Sequence, residues 1–373
     1  MSEILFIGPL PPPIHGESIM LNNTLKILKD NDFQTIVFNT GEGRSENNKK
    51  YKLFFVKIKN DFKLFLDLLN YKKKSVTYIS ISQTKFGLLR DCIFIRLRFR
   101  KNDYIITHLH GNNLENTVNK FKVLRKIFIE PSLKKINMGV SLSEELEFNY
   151  KNLPIELTYV HNCIEPNAEK FLSKYNSENR SEDTKNGVDL NFLYLSNLID
   201  SKGFNELFLA VKIINELTNF KVHLVVAGKC ISQKSQSVIE KYSSYEWFEY
   251  LGIVSADNKF KIISNSDVVC LPTYYEIEAE PIVLLEGLAA EKVLISTKRA
   301  AINKILLNNN FYVEEKNTFS IIEAIFKVIN LNKNDLKNIG EKNRKNFLEN
   351  YSKEKYSKEM LRIFKRGVEY IEE

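Results

Sequence analysis

Apolar segments of strand length alternate with segments of helical period along nearly the whole chain, and the alternation restarts once after a polar stretch. This is the pattern of parallel sheets covered by helices, because two parallel strands need a crossover long enough to hold a helix. Candidate strands fall at 4–7, 34–38, 76–80, 104–109, 136–140 and 157–160. Residues 166–190 are rich in Ser, Asn, Glu and Lys, with few apolar residues after Leu172, and read as a polar connection. Beyond it lie strands at 192–195, 222–227, 248–251, 268–271 and 293–296, with helical patterns at 204–217, 258–263 and 282–290. The segment 351–373 is amphipathic, with Met360, Ile363, Phe364, Val368 and Ile371 near helical spacing. The expected architecture is two Rossmann-like, doubly wound α/β domains, 1–165 and 166–350, with 166–190 as linker. The C-terminal helix over 351–373 can pack on either domain, crossing back to the first in one arrangement.

Several classes are excluded by composition. At 373 residues, 43% hydrophobic and 27% charged, the chain has enough apolar surface for two cores and is neither disordered nor fibrous. No apolar run approaches the roughly 18 residues of a spanning helix. The opening MSEILFIGPL has no basic n-region and no small-residue cleavage site, so the expected location is the cytoplasm. Cys92, Cys163, Cys230 and Cys270 stand 71, 67 and 40 residues apart, too far for a zinc or redox motif, and read as reduced core residues. The five histidines include no HExxH-type pair, so no metal site is expected.

The net charge of +8 is unevenly spread. Residues 1–150 hold 24 Lys and Arg against 15 Asp and Glu, and residues 51–100 alone hold 12 against 3. There the basic residues interleave with apolar ones in FFVKIKNDFKLFLDLLNYKKK and CIFIRLRFRK. Such stretches either cover packed helices with solvated faces or lie on an anionic membrane, with Lys72, Lys73 and Lys74 as contacts. The expected location therefore includes a peripheral position on the inner face of the plasma membrane. Nucleic acid is not expected, since no helix-turn-helix, finger or aromatic RNA-binding motif accompanies the charge.

The strongest chemical signal is PTYYEIEAEPIVLLEGLAA at 272–290. Pro281 sits where a helix can begin, at the first helical position. The backbone N–H groups of Ile282 and Val283 would then point out of the helix mouth, where a diphosphate could bind. Glu286, about two turns further in, could accept hydrogen bonds from a ribose diol, and Glu278 lies just before the helix. Two glutamates eight apart also occur in helices with no ligand. Lys202 before Gly203 places a cation on a tight turn between strand and helix, at the sheet edge where such folds bind ligands; alone, it could equally be a solvated loop lysine. Gly16 permits close backbone approach, or is simply a turn glycine after three prolines. His110 ends a strand before Gly111, with His108 on the same face. His161, near the domain junction, and His223, in a strand taken to be buried, read as structural.

Together these segments resemble the retaining GT-B glycosyltransferases of family 4. In that family E-x7-E follows a strand ending in Pro-Ser or Pro-Thr, as Pro272-Thr273 does here. LYLSNLIDSKGFNELFLAV at 193–211 and VHLVVAGKC at 222–230 resemble the strands that precede it. FIGPLPPPIHGES, ITHLHGNN at 106–113 and VHNCIE at 160–165 are similar to the family's N-terminal loop, histidine strand and interdomain segment. The resemblance implies two domains facing across a cleft, with the donor in the C-terminal domain and the acceptor in the N-terminal one. By that resemblance Glu278, His110 and Lys202 are catalytic, and Gly16, Asn197, Lys202, Pro281, Ile282, Val283 and Glu286 bind the donor. His15 and Ser18 lie on the acceptor side of the cleft. The partners implied are a nucleotide sugar and a glycan acceptor, expected to be lipid-linked, in bacterial-type surface polysaccharide synthesis. No cofactor is expected beyond the donor substrate, and no metal.

Two departures bear on the diphosphate. Asn197 stands where the family has an arginine, so either Arg299 supplies the missing charge or the leaving group is held less tightly. Ala300-Ala301-Ile302-Asn303-Lys304 replaces the family's Gly-Gly-x-x-Glu loop. The rival expectations are a GT-B relative that hydrolyses or epimerises a nucleotide sugar, and a non-catalytic nucleotide-sugar-binding subunit.

Overall fold

A computed structural model describes residues 3–12, 15–41, 50–151, 153–165, 168, 171–172 and 189–373. The chain divides into two units: Met1–Asn162 together with Glu354–Glu373, and Cys163–Lys353. The connection read over 166–190 lies almost wholly outside the described residues, although Ala168 and Leu172 within it are buried in the second core.

The first unit is a six-stranded parallel sheet in the order β2-β1-β3-β4-β5-β6. Its strands are β1 (Ile4–Gly8), β2 (Thr35–Asn39), β3 (Val76–Ser80), β4 (Tyr104–Leu109), β5 (Met138–Ser141) and β6 (Glu156–Tyr159). The central strands β1, β3 and β4 are buried along their whole length, as near-continuous apolar runs covered on both faces should be. Side-chain alternation sends Leu5, Ile7, Ile79 and Ile105 to one face, against the long helices α2 (Lys50–Asn70) and α3 (Lys85–Phe99). Phe6 and Tyr78 point to the other face and stack at 4.8 Å. There the C-terminal helix Lys353–Glu372 brings Phe364 to 5.4 Å from Tyr78, and the Tyr356 hydroxyl to 2.6 Å from Thr24 Oγ1 of α1 (Gly16–Asp30).

The second unit has strands β7 (Asp189–Leu195), β8 (Lys221–Ala227), β9 (Phe248–Tyr250), β10 (Val268–Leu271), β11 (Val293–Thr297) and β12 (Phe311–Val313). All pair in parallel, in the order β12-β11-β10-β7-β8-β9. From β7 the chain winds one way and from β10 the other, which makes the β7/β10 boundary a topological switch point.

Four expectations change here. The stretch CIFIRLRFRK is not a run of surface cations. Arg98 is fully buried, with Nε 2.7 Å from Asp103 Oδ2 and Nη2 2.8 Å from Oδ1, and it also donates to the carbonyls of Tyr71 and Lys73. A buried charge persists only when paired and fully hydrogen-bonded, and this network does both. Lys73 pairs with Glu3, and Lys74 donates to the carbonyls of Tyr370 and Ile371 at the end of the C-terminal helix, so neither is an uncommitted membrane contact. His223 is exposed rather than buried, because strand alternation turns it outward beside inward-facing Val222 and Leu224. Of the four cysteines, all unbridged, Cys92, Cys163 and Cys270 are buried and Cys230 is half-buried.

Candidate functional site

At the switch point of the second sheet, the loops leaving β7 and β10 diverge at the strands' C-terminal ends, where open α/β sheets bind ligands. The β7 loop closes in a 3₁₀ turn, Asp200–Lys202, that ends at Gly203 with φ +75°. A Cβ at Gly203 would lie 2.1 Å from the Pro272 carbonyl oxygen, so only glycine lets the two loops touch. The Tyr274 amide donates to the Ser201 carbonyl at 2.7 Å and fastens them together. Lys202 Nζ therefore lies 3.1 Å from Glu278 Oε2, with both side chains largely shielded. The Thr273 hydroxyl is 3.4 Å from the same carboxylate oxygen. The structure thus brings together two residues 76 positions apart that the sequence assigned to one site. The arrangement offers a cation for phosphate oxygens beside an acceptor for hydroxyl groups.

The helix Ile282–Ala289 begins directly after this loop. Pro281 is its N-cap rather than its first helical residue, at φ −65° and ψ 120°, and no side chain caps the helix. By helix geometry the amides of Ile282 and Val283 point out of its N-terminus. Glu286 is the fifth helical residue, about one turn in rather than two, and is buried. Its Oε1 lies 2.5 Å from Lys259 Nζ, on the helix Ala256–Asn265. Burial raises the Glu286 pKa, and the Lys259 ammonium opposes that shift. Lys259 escaped the sequence reading. Its only sequence signal is a lysine among apolar residues in NKFKIIS, and the pairing is visible only once two helices meet.

Asn197 is exposed, and its Oδ1 accepts the Lys229 amide at 3.3 Å. Gly228, at φ +143°, allows this contact, since a Cβ there would sit 1.9 Å from the Ser196 carbonyl oxygen. The loops after β7 and β8 are thereby tied together, and Lys229 joins the same loop cluster as a cation not singled out by sequence. Arg299 is engaged elsewhere: its Nη1 lies 2.6 Å from Glu315 Oε1.

In the first unit, His15 and Ser18 form a reciprocal cap on α1. The Ser18 amide donates to His15 Nδ1 at 3.3 Å, and the His15 amide donates to Ser18 Oγ at 3.0 Å. The cap accounts for both side chains within the fold and sets Gly16 as the first helical residue. His110 follows β4, and its ring lies 3.9 Å from that of His108. The fully buried His108 donates or accepts at Nδ1 with the Tyr78 hydroxyl, 2.8 Å away. Both ring nitrogens of His110 are buried and make no hydrogen bond of good geometry, although the Asn162 side chain lies close enough to interact. Burial lowers its pKa to about 4, against the opposing effect of the Asn162 amide. His110 is thus neutral at pH 7, able both to donate and to accept.

Residues 176–346 match the model of the family described as glycosyl transferases group 1. No curated protein sequence matches the chain. Solved structures align along almost all of it. The sucrose-phosphate synthase of Thermosynechococcus elongatus has a TM-score of 0.75 at 12% identity, covering 98% of this chain and 99% of that one. An α,α-trehalose-phosphate synthase (UDP-forming) from Burkholderia vietnamiensis gives 0.70 at 10% identity, with 98% and 97% covered. Anabaena HepE, solved with UDP and glucose, gives 0.68 at 12%, with 98% and 100% covered. At such identities the likeness defines the fold: two Rossmann-like units of the GT-B type.

Proposed function

We propose that this protein is a retaining, metal-independent glycosyltransferase that moves a sugar from a nucleotide-diphosphate sugar to a glycan acceptor. The observation that carries the reading is the Lys202–Glu278 pair at the switch point, inside the segment that matches the glycosyl transferases group 1. HepE, of the same fold, has been solved with UDP-glucose.

In this reading Lys202 and the first amides of the helix Ile282–Ala289 hold the diphosphate, and charge growing on the leaving group is stabilised by donors already in place. Glu278 accepts hydrogen bonds from the sugar hydroxyls, and Glu286 accepts them from the ribose. Neutral His110 contacts the transferred sugar. Gly16, at the start of α1, offers backbone to the donor, and His15 and Ser18 shape the acceptor side through the cap they form. A lipid-linked acceptor for a surface polysaccharide completes the proposal.

A second reading, a nucleotide-sugar-binding subunit without transfer, draws on one observation: Arg299 is paired with Glu315 and Asn197 is uncharged, so the arginine usual at the diphosphate has no evident replacement from either. The test screens UDP-, GDP- and ADP-sugars for a melting-temperature rise, then follows nucleoside diphosphate release with and without a glycan acceptor in chelator. Acceptor-dependent release establishes transfer. Stabilisation without release supports the binding subunit, and release independent of acceptor supports hydrolysis. No stabilisation by any donor overturns the donor site.

A further inference from the structure

The helical layer on the α2/α3 face of the first sheet has two apolar surfaces, where a helix packed on a sheet needs one. On α2, Leu64 and Leu68 face the sheet and are buried. Ile58, Phe62, Leu66 and Leu69, at helical spacing of four, four and three, form a second stripe that faces away from it, with Phe62 61% exposed. On α3, Leu88, Cys92 and Ile95 go inward, while Phe86, 71% exposed, and Ile93 lie two turns apart on the outer side. The two outer stripes meet in an apolar groove of about 520 Å³ lined by Ile58, Phe62, Phe65, Phe86, Leu89 and Ile93. The layer continues past α3, where Arg96 donates to Ser132 Oγ and the Phe128 carbonyl. The neighbouring segment 122–129 exposes Val123 and Ile127 at 71% and 65%.

The cations of this half fall into two sets. Arg90 is closed on Asp91 and Asp61, Arg98 on Asp103, and Lys73 on Glu3. Lys59 and Lys63 flank the outer stripe of α2, and Lys122 and Lys126 flank Val123 and Ile127; all four are exposed. Among the described residues none of these four has an ion-pair partner. An apolar surface edged by uncommitted lysines complements a bilayer whose headgroups are anionic, with aromatic and aliphatic side chains entering the headgroup boundary and ammonium groups remaining among phosphates. A patch of this kind on a monomer marks an interaction site.

We infer that the outer surface of α2, α3 and residues 122–129 docks on an anionic lipid bilayer, through Ile58, Phe62, Phe86, Ile93, Val123 and Ile127 with Lys59, Lys63, Lys122 and Lys126 around them. This surface belongs to the first unit alone and does not depend on the donor chemistry proposed for the second.

The test is cosedimentation of the full chain with vesicles of phosphatidylcholine, with and without phosphatidylglycerol, at low and high salt. The wild-type chain is expected to bind the anionic vesicles preferentially and to bind less as salt rises. Phe62→Ser with Phe86→Ser should lower partitioning at least about tenfold. Lys59→Glu with Lys63→Glu should lower it by about fivefold or more per lysine at low salt and much less at high salt. Unchanged circular dichroism and melting temperature show that each variant is folded. Equal partitioning of wild type and the phenylalanine variant would overturn the inference, as would a wild-type chain that stays in the supernatant. A wild-type dimer that the phenylalanine variant makes monomeric, without vesicle binding, would instead make this face an interface between two copies.

Discussion

Lys259 Nζ and Glu286 Oε1 meet at 2.5 Å, so the carboxylate proposed to hold the ribose has a cation beside it. Burial alone would favour protonated Glu286, which would accept from the hydroxyls of a diol more weakly than the carboxylate does. The ammonium keeps the ionised form accessible. Glu286→Ala should weaken nucleoside diphosphate binding roughly 10–100-fold, the loss of a charge-assisted hydrogen bond of about 1.5–3 kcal/mol. Unchanged affinity by calorimetry in a folded variant would remove Glu286 from the nucleotide site.

Lys259→Met tests the same pair from its other side. Without the ammonium the Glu286 pKa rises further, so as pH is lowered affinity for the diphosphate should begin to fall at a higher pH than in the wild type. Lys259→Arg should restore the wild-type profile. Parallel pH profiles for all three proteins would mean that Lys259 serves packing only.

Lys202→Ala should lower turnover by roughly 10²–10³ and donor affinity far less, because charge on the leaving group develops only in the transition state. Asn197→Arg in that background should recover part of the loss, as the arginine would return a cation to the loop after β7. Full turnover in Lys202→Ala would exclude Lys202 from the site. Severe loss without rescue would mean that position 197, whose amide oxygen braces Lys229, does not reach the diphosphate.

Gly203→Ala should destabilise the second unit by at least about 2 kcal/mol, since it combines a left-handed backbone with a Cβ 2.1 Å from the Pro272 carbonyl oxygen. Relief of that clash separates the β7 and β10 loops, so turnover should fall even where the protein remains folded. Chemical denaturation and activity at low temperature separate the two effects.

His110 links stability to acidity. Its pKa is about 4 in the folded chain, against about 6.5 for a free imidazole, so the unfolded chain takes up the proton first as pH falls. The stability it contributes is present above about pH 6.5 and is lost progressively down to about pH 4. His110→Asn, which does not titrate there, should lose roughly 2–3 kcal/mol less between pH 7 and pH 4 in denaturant titrations. Identical losses would mean that His110 is solvated in the folded protein.

The sequence identified the elements whose periodicity is a local property. Val76–Ser80, Tyr104–Leu109, Val268–Leu271 and the helix Phe204–Leu217 fall where the apolar pattern put them. It was silent on Phe311–Val313, a three-residue strand with one buried side chain, too short to show a period. Side-chain partnerships were harder to see. The sequence gives no sign that Arg98 is internal, because the serine and carbonyl groups around it come from the stretch 71–75, far upstream of it in the chain, with Asp103 five residues away being the one local clue. His15 and Ser18 matched a cleft motif as well as they match a helix cap, since both uses need a polar side chain at the same place. Lys202 and Glu278 were legible because each lies next to a loop signal, a glycine in one case and a proline in the other. Lys259 was not, since it sits mid-helix among other lysines.

The Thr24–Tyr356 contact has a consequence for how the protein comes off the ribosome. The helix that covers Phe6 and Tyr78 is translated only after the entire second unit. The first unit is therefore completed only after the second has been made. Until Met360, Ile363 and Phe364 arrive, one face of its sheet lacks its helical cover while the second unit can already close its own core, and such half-covered sheets are prone to non-native association. Nascent chains stalled before residue 353 should then be protease-resistant in the second unit and sensitive in the first, the reverse of the order in which they were translated.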